Sequence, residues 1–91
     1  MFYTTDLNNH GLRYNPFKAI VAPRPIAWIS TIDKKGRSNL APYSFFNGMQ
    51  DNPPIIGFGS GPSKIGIDDP KDSLTNIQET GNCCVSSVSE A

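Results

Sequence analysis

IAWISTIDKKGRSNLAPYS, residues 26–44, carries the clearest fold signal in the chain. Its first part, Ile26 to Ile32, is rich in β-branched and aromatic residues, which suit a pleated, half-buried surface. Asp33 to Gly36 then supplies a turn, with the glycine close to the position that often requires positive φ. The chain returns through Ser38 to Ser44 with alternating small and large residues. An antiparallel hairpin is predicted, and the rest of the sequence is read outward from it.

Upstream, Phe17 to Ala22 is apolar and predicts another strand. "PRP" at 23–25 separates it from the hairpin, because a proline at every other residue excludes helix and favours an edge, a bend or a crossover between two strands. Residues 1–16 are polar and irregular, ending in "YNPF", where Pro16 stops any regular element. They are read as an N-terminal arm, which leaves 17–91 as the domain proper. Downstream, "PPIIGFG" at 53–59 predicts a strand entered through its prolines, and "SGPSKIGIDDP" at 60–70 a loop. A helix follows, with Asp69 as N-cap, Pro70 in the first helical position and Asp72 as the capping-box acid. Leu74 and Ile77 give its apolar stripe, and Gly81 its stop. "CCVSSV" at 83–88 predicts a closing strand. Gly and Pro together make up sixteen of 91 residues, as many short strands joined by tight turns require. The expected fold is mainly β with one helix, part of a barrel.

Composition excludes several function classes. Eight basic residues balance eight acidic ones, so no charge excess points to a nucleic acid. No apolar run approaches the roughly 20 residues that span a bilayer, and "MFYTTDLNNHG" lacks the features of a signal peptide. The expected compartment is the cytoplasm. The two cysteines, Cys83 and Cys84, are adjacent in a predicted strand and so point to opposite faces. They are read as small packing residues rather than as a metal or disulfide pair. With His10 as the single histidine, a metal centre has no ligand set.

Two segments carry chemistry. In "NLAPYSFFN", 39–47, strand alternation places Asn39, Ala41, Tyr43, Phe45 and Asn47 on one face and Leu40, Pro42, Ser44 and Phe46 on the other. Neither face is cleanly apolar. Either the aromatics pack on two sides of a sheet while Asn39 and Ser44 satisfy bends, or the strand kinks at Pro42 and offers backbone N–H groups and a hydroxyl to a flat heteroaromatic ligand such as a flavin. In "GSGPSKIGIDDPKDSLTN", 59–76, Ser60, Ser63, Lys64, Lys71, Ser73, Thr75 and Asn76 crowd a glycine-rich loop and a helix start. That set suits a phosphate. It matches no nucleotide-binding fingerprint, Asp68, Asp69 and Asp72 oppose an anion, and a solvated loop before a capped helix explains it equally.

Taken together, "PRPIAWIST.D..G..NLAPYSFFN", "PPIIGF" and "KDSLTNI..TG", in that order and spacing, resemble the flavin reductase-like family of FMN-binding split-barrel proteins, from about Phe17 to Glu90. The resemblance implies a split β-barrel of which this chain supplies the N-terminal half, a homodimer, FMN near its interface, and hydride transfer from NADH or NADPH. By position it implies that Ser30 and Thr31 close a strand beside the flavin and that Asn39, Ala41, Pro42, Tyr43 and Ser44 line the isoalloxazine and ribityl chain. Ser60, Ser63 and Lys64, with Lys71, Asp72 and Ser73, stand where the family surrounds the FMN phosphate. Such chemistry needs no protein acid or base in the hydride step, consistent with the lack of any catalytic triad or acid pair. "GNCCVSSVSEA" departs from the family's more usual aromatic and Asn-containing strand, and family members continue well beyond this point. A non-enzymatic flavin-binding module and an inactive fragment are the alternative functions.

Overall fold

The computed structural model describes residues 2–61 and 72–89. The order of elements is α1 (Phe17–Ile20), β1 (Ala27–Ile32), β2 (Ser38–Tyr43), β3 (Phe46–Gln50), β4 (Ile55–Phe58), α2 (Asp72–Thr80) and β5 (Cys84–Ser87). The strands form a three-stranded antiparallel sheet ordered β2-β1-β5 and a separate β3-β4 hairpin.

The β1–β2 hairpin forms as its sequence predicts. Asp33 organises the turn: its Oδ1 accepts from the Lys35 and Arg37 N–H groups at 2.8 and 2.9 Å, and its Oδ2 accepts from Arg37 Nε at 2.6 Å. Gly36 takes φ +82°, a conformation that glycine adopts without a Cβ penalty. These bonds set a register in which Ala27 faces Tyr43, Ile29 faces Ala41 and Thr31 faces Asn39. All six of those side chains lie on one face of the sheet. On β5, Val85 joins them opposite Ile29.

That face has an apolar end and a polar end. Ala27, Ile29 and Tyr43 are the buried apolar residues, with Ala41, Phe46, Phe58 and Val85 packed against them. The β3-β4 hairpin covers this end, and the Tyr43 and Phe58 rings meet at 4.9 Å. Helix α2 packs on β1 and β2, at the polar end, where Thr31 and Asn39 lie. It stops at Gly81, whose φ is +71° and whose N–H donates to the Ile77 carbonyl at 2.8 Å.

Four local expectations are corrected. Phe17 to Ala22 is not a strand: residues 17–20 make one helical turn. Pro16 already has helical φ and ψ, the Ala19 and Ile20 N–H groups donate to its carbonyl, and Asn15 Oδ1 accepts from the Phe17 N–H. Local hydrogen bonds therefore win over β propensity, which needs a neighbouring strand to be realised. The break in 39–47 falls at Ser44–Phe45 and not at Pro42, which stays in β2 opposite Trp28. β2 is an edge strand, where one row of backbone groups has no ladder partner and proline is tolerated. The bend also changes the phase of the alternation, so that Tyr43 and then Phe46 reach the core.

On α2, the buried positions are Ser73 and Asn76, whereas Leu74 and Ile77 are half-buried. The inward stripe is rotated by one residue from the apolar one, because the sheet beneath offers polar partners. Cys83 and Cys84 are free and exposed rather than packed; Cys84 lies on edge strand β5 opposite Ser30. The N-cap and first-position assignments at Asp69 and Pro70 lie outside the described residues.

Candidate functional site

The cross-strand pair Thr31 and Asn39 reaches upward into α2. Asn76 Nδ2 donates to Thr31 Oγ1 at 3.0 Å, and Asn39 Nδ2 donates to Ser73 Oγ at 2.8 Å. Ser73 and Asn76 are three apart in a helix, so both face the sheet, as Thr31 and Asn39 both face the helix. Thr31, Ser73 and Asn76 are 5%, 1% and 7% exposed. At that burial each polar group needs a partner, and each has one. The result is a clasp of two side-chain hydrogen bonds that fixes α2 across both strands of the hairpin. Asn76, to which the sequence reading assigns no role of its own beyond the loop-and-helix set, is one of its four members. The signal for it was its i+3 spacing from Ser73.

Beside the clasp, between the hairpin turn and α2, lies a cleft of about 290 Å³ lined by Asp33, Arg37, Asn39, Asp72, Asn76 and Glu79 among others. Three carboxylates face one guanidinium there. Asp33 holds its carboxyl below the usual 3.8, first because the Arg37 N–H donates to it and further through the Arg37 side chain and the Lys35 N–H.

Among the described residues, the opposite face of the sheet is largely exposed. It carries Trp28, Ser30 and Ile32 from β1, Leu40 and Pro42 from β2, and Cys84 and Ser86 from β5, with Ser30 flanked by Leu40 and Cys84. Trp28 and Leu40 are exposed at 39% and 61%. At one end, Ser30, Thr31, Ser38, Asn82, Cys83 and Cys84 help to line a groove of about 390 Å³.

The residues singled out in the sequence thus divide. Thr31, Asn39 and Ser73 come together in the clasp. Ser30, Pro42 and Ser44 lie elsewhere: Ser30 and Pro42 belong to the open face, and Ser44 is exposed at the bend. Ser30 and Thr31, being consecutive in a strand, direct their side chains to opposite faces. Ala41 and Tyr43 face inward, Tyr43 at 5% exposure. Ser60 follows β4, with its Oγ buried and without a hydrogen-bond partner among the described residues. Asp72 opens the described part of α2. Ser63, Lys64 and Lys71 lie outside the described residues.

Aligned with nitrilotriacetate monooxygenase component B from Bacillus cereus, the chain gives a TM-score of 0.70 at 32% identity, over 93% of this chain and 41% of that one. Residues 21–91 match the flavin reductase like domain, and the chain belongs to that family. A Deinococcus radiodurans protein is 46% identical over 83 residues, covering 87% of this chain and 36% of its own length. An Aquifex aeolicus protein is 42% identical over 79 residues, covering 85% and 38%. The chain therefore spans well under half the length of the proteins it matches. The family is one of flavin-related oxidoreductases. Among the described residues, no helix is long and apolar enough to cross a membrane.

Proposed function

We propose that the protein binds FMN against the open face of the β2-β1-β5 sheet and serves hydride transfer from NADH or NADPH to flavin, as a cytoplasmic homodimer. The observation that carries this reading is the family match over residues 21–91. In it, Ser30, Pro42 and Ser44 meet the ring, while Ala41 and Tyr43 contribute main chain. Thr31, Asn39 and Ser73 act from beneath, holding hairpin and helix at a fixed spacing. Ser60, Ser63, Lys64, Lys71 and the first turn of α2 with Asp72 surround the phosphate.

The chemistry of the described residues fits such a ligand. A flat face with tryptophan, leucine and proline beside a serine hydroxyl suits a planar heteroaromatic ring with hydrogen-bonding edges. Ser60 Oγ, buried and without a hydrogen-bond partner among the described residues, is a donor with room for an acceptor, and it precedes Ser63, Lys64 and Lys71 in the sequence. FMN, when bound, supplies the hydride acceptor. The residues of the chain bind and orient it, and none of them is required to take a proton.

The test is a titration of the protein with FMN and with riboflavin, followed by anaerobic addition of NADH or NADPH. FMN is expected to bind about tenfold or more tighter, since charge-assisted hydrogen bonds to the phosphate are absent from riboflavin. Bleaching of the visible flavin band by the nicotinamide is expected to follow. Equal affinities would remove the phosphate assignment, and a bound flavin that no nicotinamide reduces would make the protein a binding module instead of a reductase.

A further inference from the structure

The buried residues of α2 are Ser73 and Asn76, and among the described residues none of α2 belongs to the apolar cluster around Ala27, Ile29 and Tyr43. Apolar contact is non-directional and lets a helix slide or turn over a sheet, whereas a hydrogen bond fixes distance and angle. The seat of α2 is therefore set by the two bonds of the clasp, from Asn76 Nδ2 to Thr31 Oγ1 on β1 and from Asn39 Nδ2 on β2 to Ser73 Oγ. Thr31 and Asn39 are cross-strand partners, and Ser73 and Asn76 are neighbours on one helix face. Two bonds placed in this way resist rotation of the helix as well as sliding.

The two sides of the clasp lead to different parts of the chain. Thr31 shares a peptide unit with Ser30, whose side chain lies on the exposed sheet face opposite Leu40, so the two residues move together. Ser73 follows Lys71 and Asp72 directly in the sequence, at the point where the chain enters α2 from residues 60–70. The clasp thus ties the strand that presents the ring contacts to the helix start that presents the phosphate contacts. A ligand that engages both gains from the second set only when the two are held at the spacing of its own covalent linker. A ligand that engages the ring contacts alone is indifferent to that spacing.

We propose, on the FMN reading of this site, that Asn76 is a positioning residue that sets the preference of the protein for a phosphorylated flavin over an unphosphorylated one. It touches no ligand. Its amide holds Thr31, and through the helix it holds Ser73 on Asn39, so that ring and phosphate contacts keep one spacing.

The test compares FMN and riboflavin affinities, by flavin fluorescence titration, in the native protein and three variants whose thermal midpoints are also measured. The native protein is expected to prefer FMN about tenfold or more. In Asn76→Ala that preference is expected to fall several-fold, through FMN alone, with riboflavin affinity unchanged. Asn76→Ala with Thr31→Val regains stability by removing the orphaned hydroxyl, yet makes no directional bond, so its preference is expected to stay low. The control lies on the far side of the molecule, where a groove of about 430 Å³ runs between the "PRP" segment and the β3-β4 hairpin. There Arg24 Nη1 donates to the Lys18 and Val21 carbonyls at the end of α1, and its Cζ stands 4.7 Å from the centre of the Phe45 ring, which stacks on Phe17. Phe17→Ala withdraws that stack and is expected to lower the thermal midpoint without changing the preference. A native preference that survives in Asn76→Ala, a parallel loss of riboflavin affinity, a preference restored along with stability in the double variant, or an equal fall in Phe17→Ala would each overturn the proposal while leaving FMN as the ligand. Equal binding of the two flavins by the native protein, or binding of neither, would overturn the phosphate reading and the proposal together.

Discussion

The clasp under α2 and the groove at Arg24 both place polar side chains among apolar ones, and they resolve the conflict in opposite ways. In the clasp, two amides and two hydroxyls pair across the helix–sheet boundary, so buried polarity is spent on the fold itself. At Arg24 the main chain at α1 takes Nη1, and Nε has no acceptor among the described residues. The residues that most resemble a binding site by type, threonine, asparagine and serine at a strand end and a helix start, are thus partly consumed by architecture. An arginine inside a proline-rich bend is not. Whether a polar group is free is settled by its hydrogen-bond partners and not by its residue type.

The sharpest way to break this comparison is to remove one member of the clasp. Asn76→Ala leaves the Thr31 hydroxyl buried without its partner, at an expected cost of about 1–3 kcal/mol. Thr31→Val in the same background removes the orphaned hydroxyl at nearly constant shape and should recover most of that loss. A double-mutant cycle by denaturant unfolding measures the coupling. If the four free energies were additive, the clasp would contribute no specific interaction, and Thr31 would again be available to a ligand. Asn39→Ala, at a half-buried site, should cost less, about 0.5–1.5 kcal/mol.

A smaller effect is expected on the groove side. Phe45→Leu withdraws the aromatic face below Arg24 but keeps an apolar side chain, so the expected loss is the cation–π contribution of about 0.5–1 kcal/mol for an exposed site. The Arg24 Nε–H signal should broaden or move as the guanidinium loses its platform, while the Asn76 side-chain amide resonances stay in place. If the two sets moved together, the clasp and the groove would be one cooperative unit.

The parts of the fold that were readable in sequence are those encoded within a few residues. The turn at Asp33–Gly36 and the helix stop at Gly81 are local, because both depend on one glycine with positive φ and a short hydrogen bond. The bend at Ser44–Phe45 was misplaced onto Pro42, since an edge strand absorbs a proline that a central strand would not. Phe17 to Ile20 misled in a different way: its β-favouring residues have no strand to pair with, and Asn15 and Pro16 start a helical turn instead. The clasp was least readable. Its bonds join residues 45 and 34 positions apart, and nothing in the sequence distinguishes an inward Thr31 or Ser73 from an outward one until the register is known. Arg24 was hidden for the converse reason. The proline spacing around it drew attention to the backbone, and its side-chain contacts to Lys18 and Val21 exist only because α1 forms.

The Asp33 turn offers the mildest and most specific test, because it bounds the acidic cleft on the clasp side and works through charge. In the folded protein its carboxyl titrates below 3.8, with the Arg37 N–H the largest cause and the Arg37 side chain and Lys35 N–H adding to it. A lowered folded pKa means that the ionised form is favoured by folding. The contribution to stability is therefore complete above the ordinary aspartate value and is lost as pH falls through the lowered one. Asp33→Asn retains an oxygen for the two backbone N–H groups but gives up the ion pair to Arg37, whose side chain is 74% exposed. The advantage of the native protein over Asp33→Asn should thus be small, screened by salt and constant from about pH 5 to 7, and should shrink towards zero as the carboxyl protonates. Thermal unfolding of both proteins as a function of pH, at low and high salt, measures it. An advantage that persisted unchanged once Asp33 was protonated would show that the turn is held by shape alone, and the charges around the cleft would then have no part in setting the β1–β2 register.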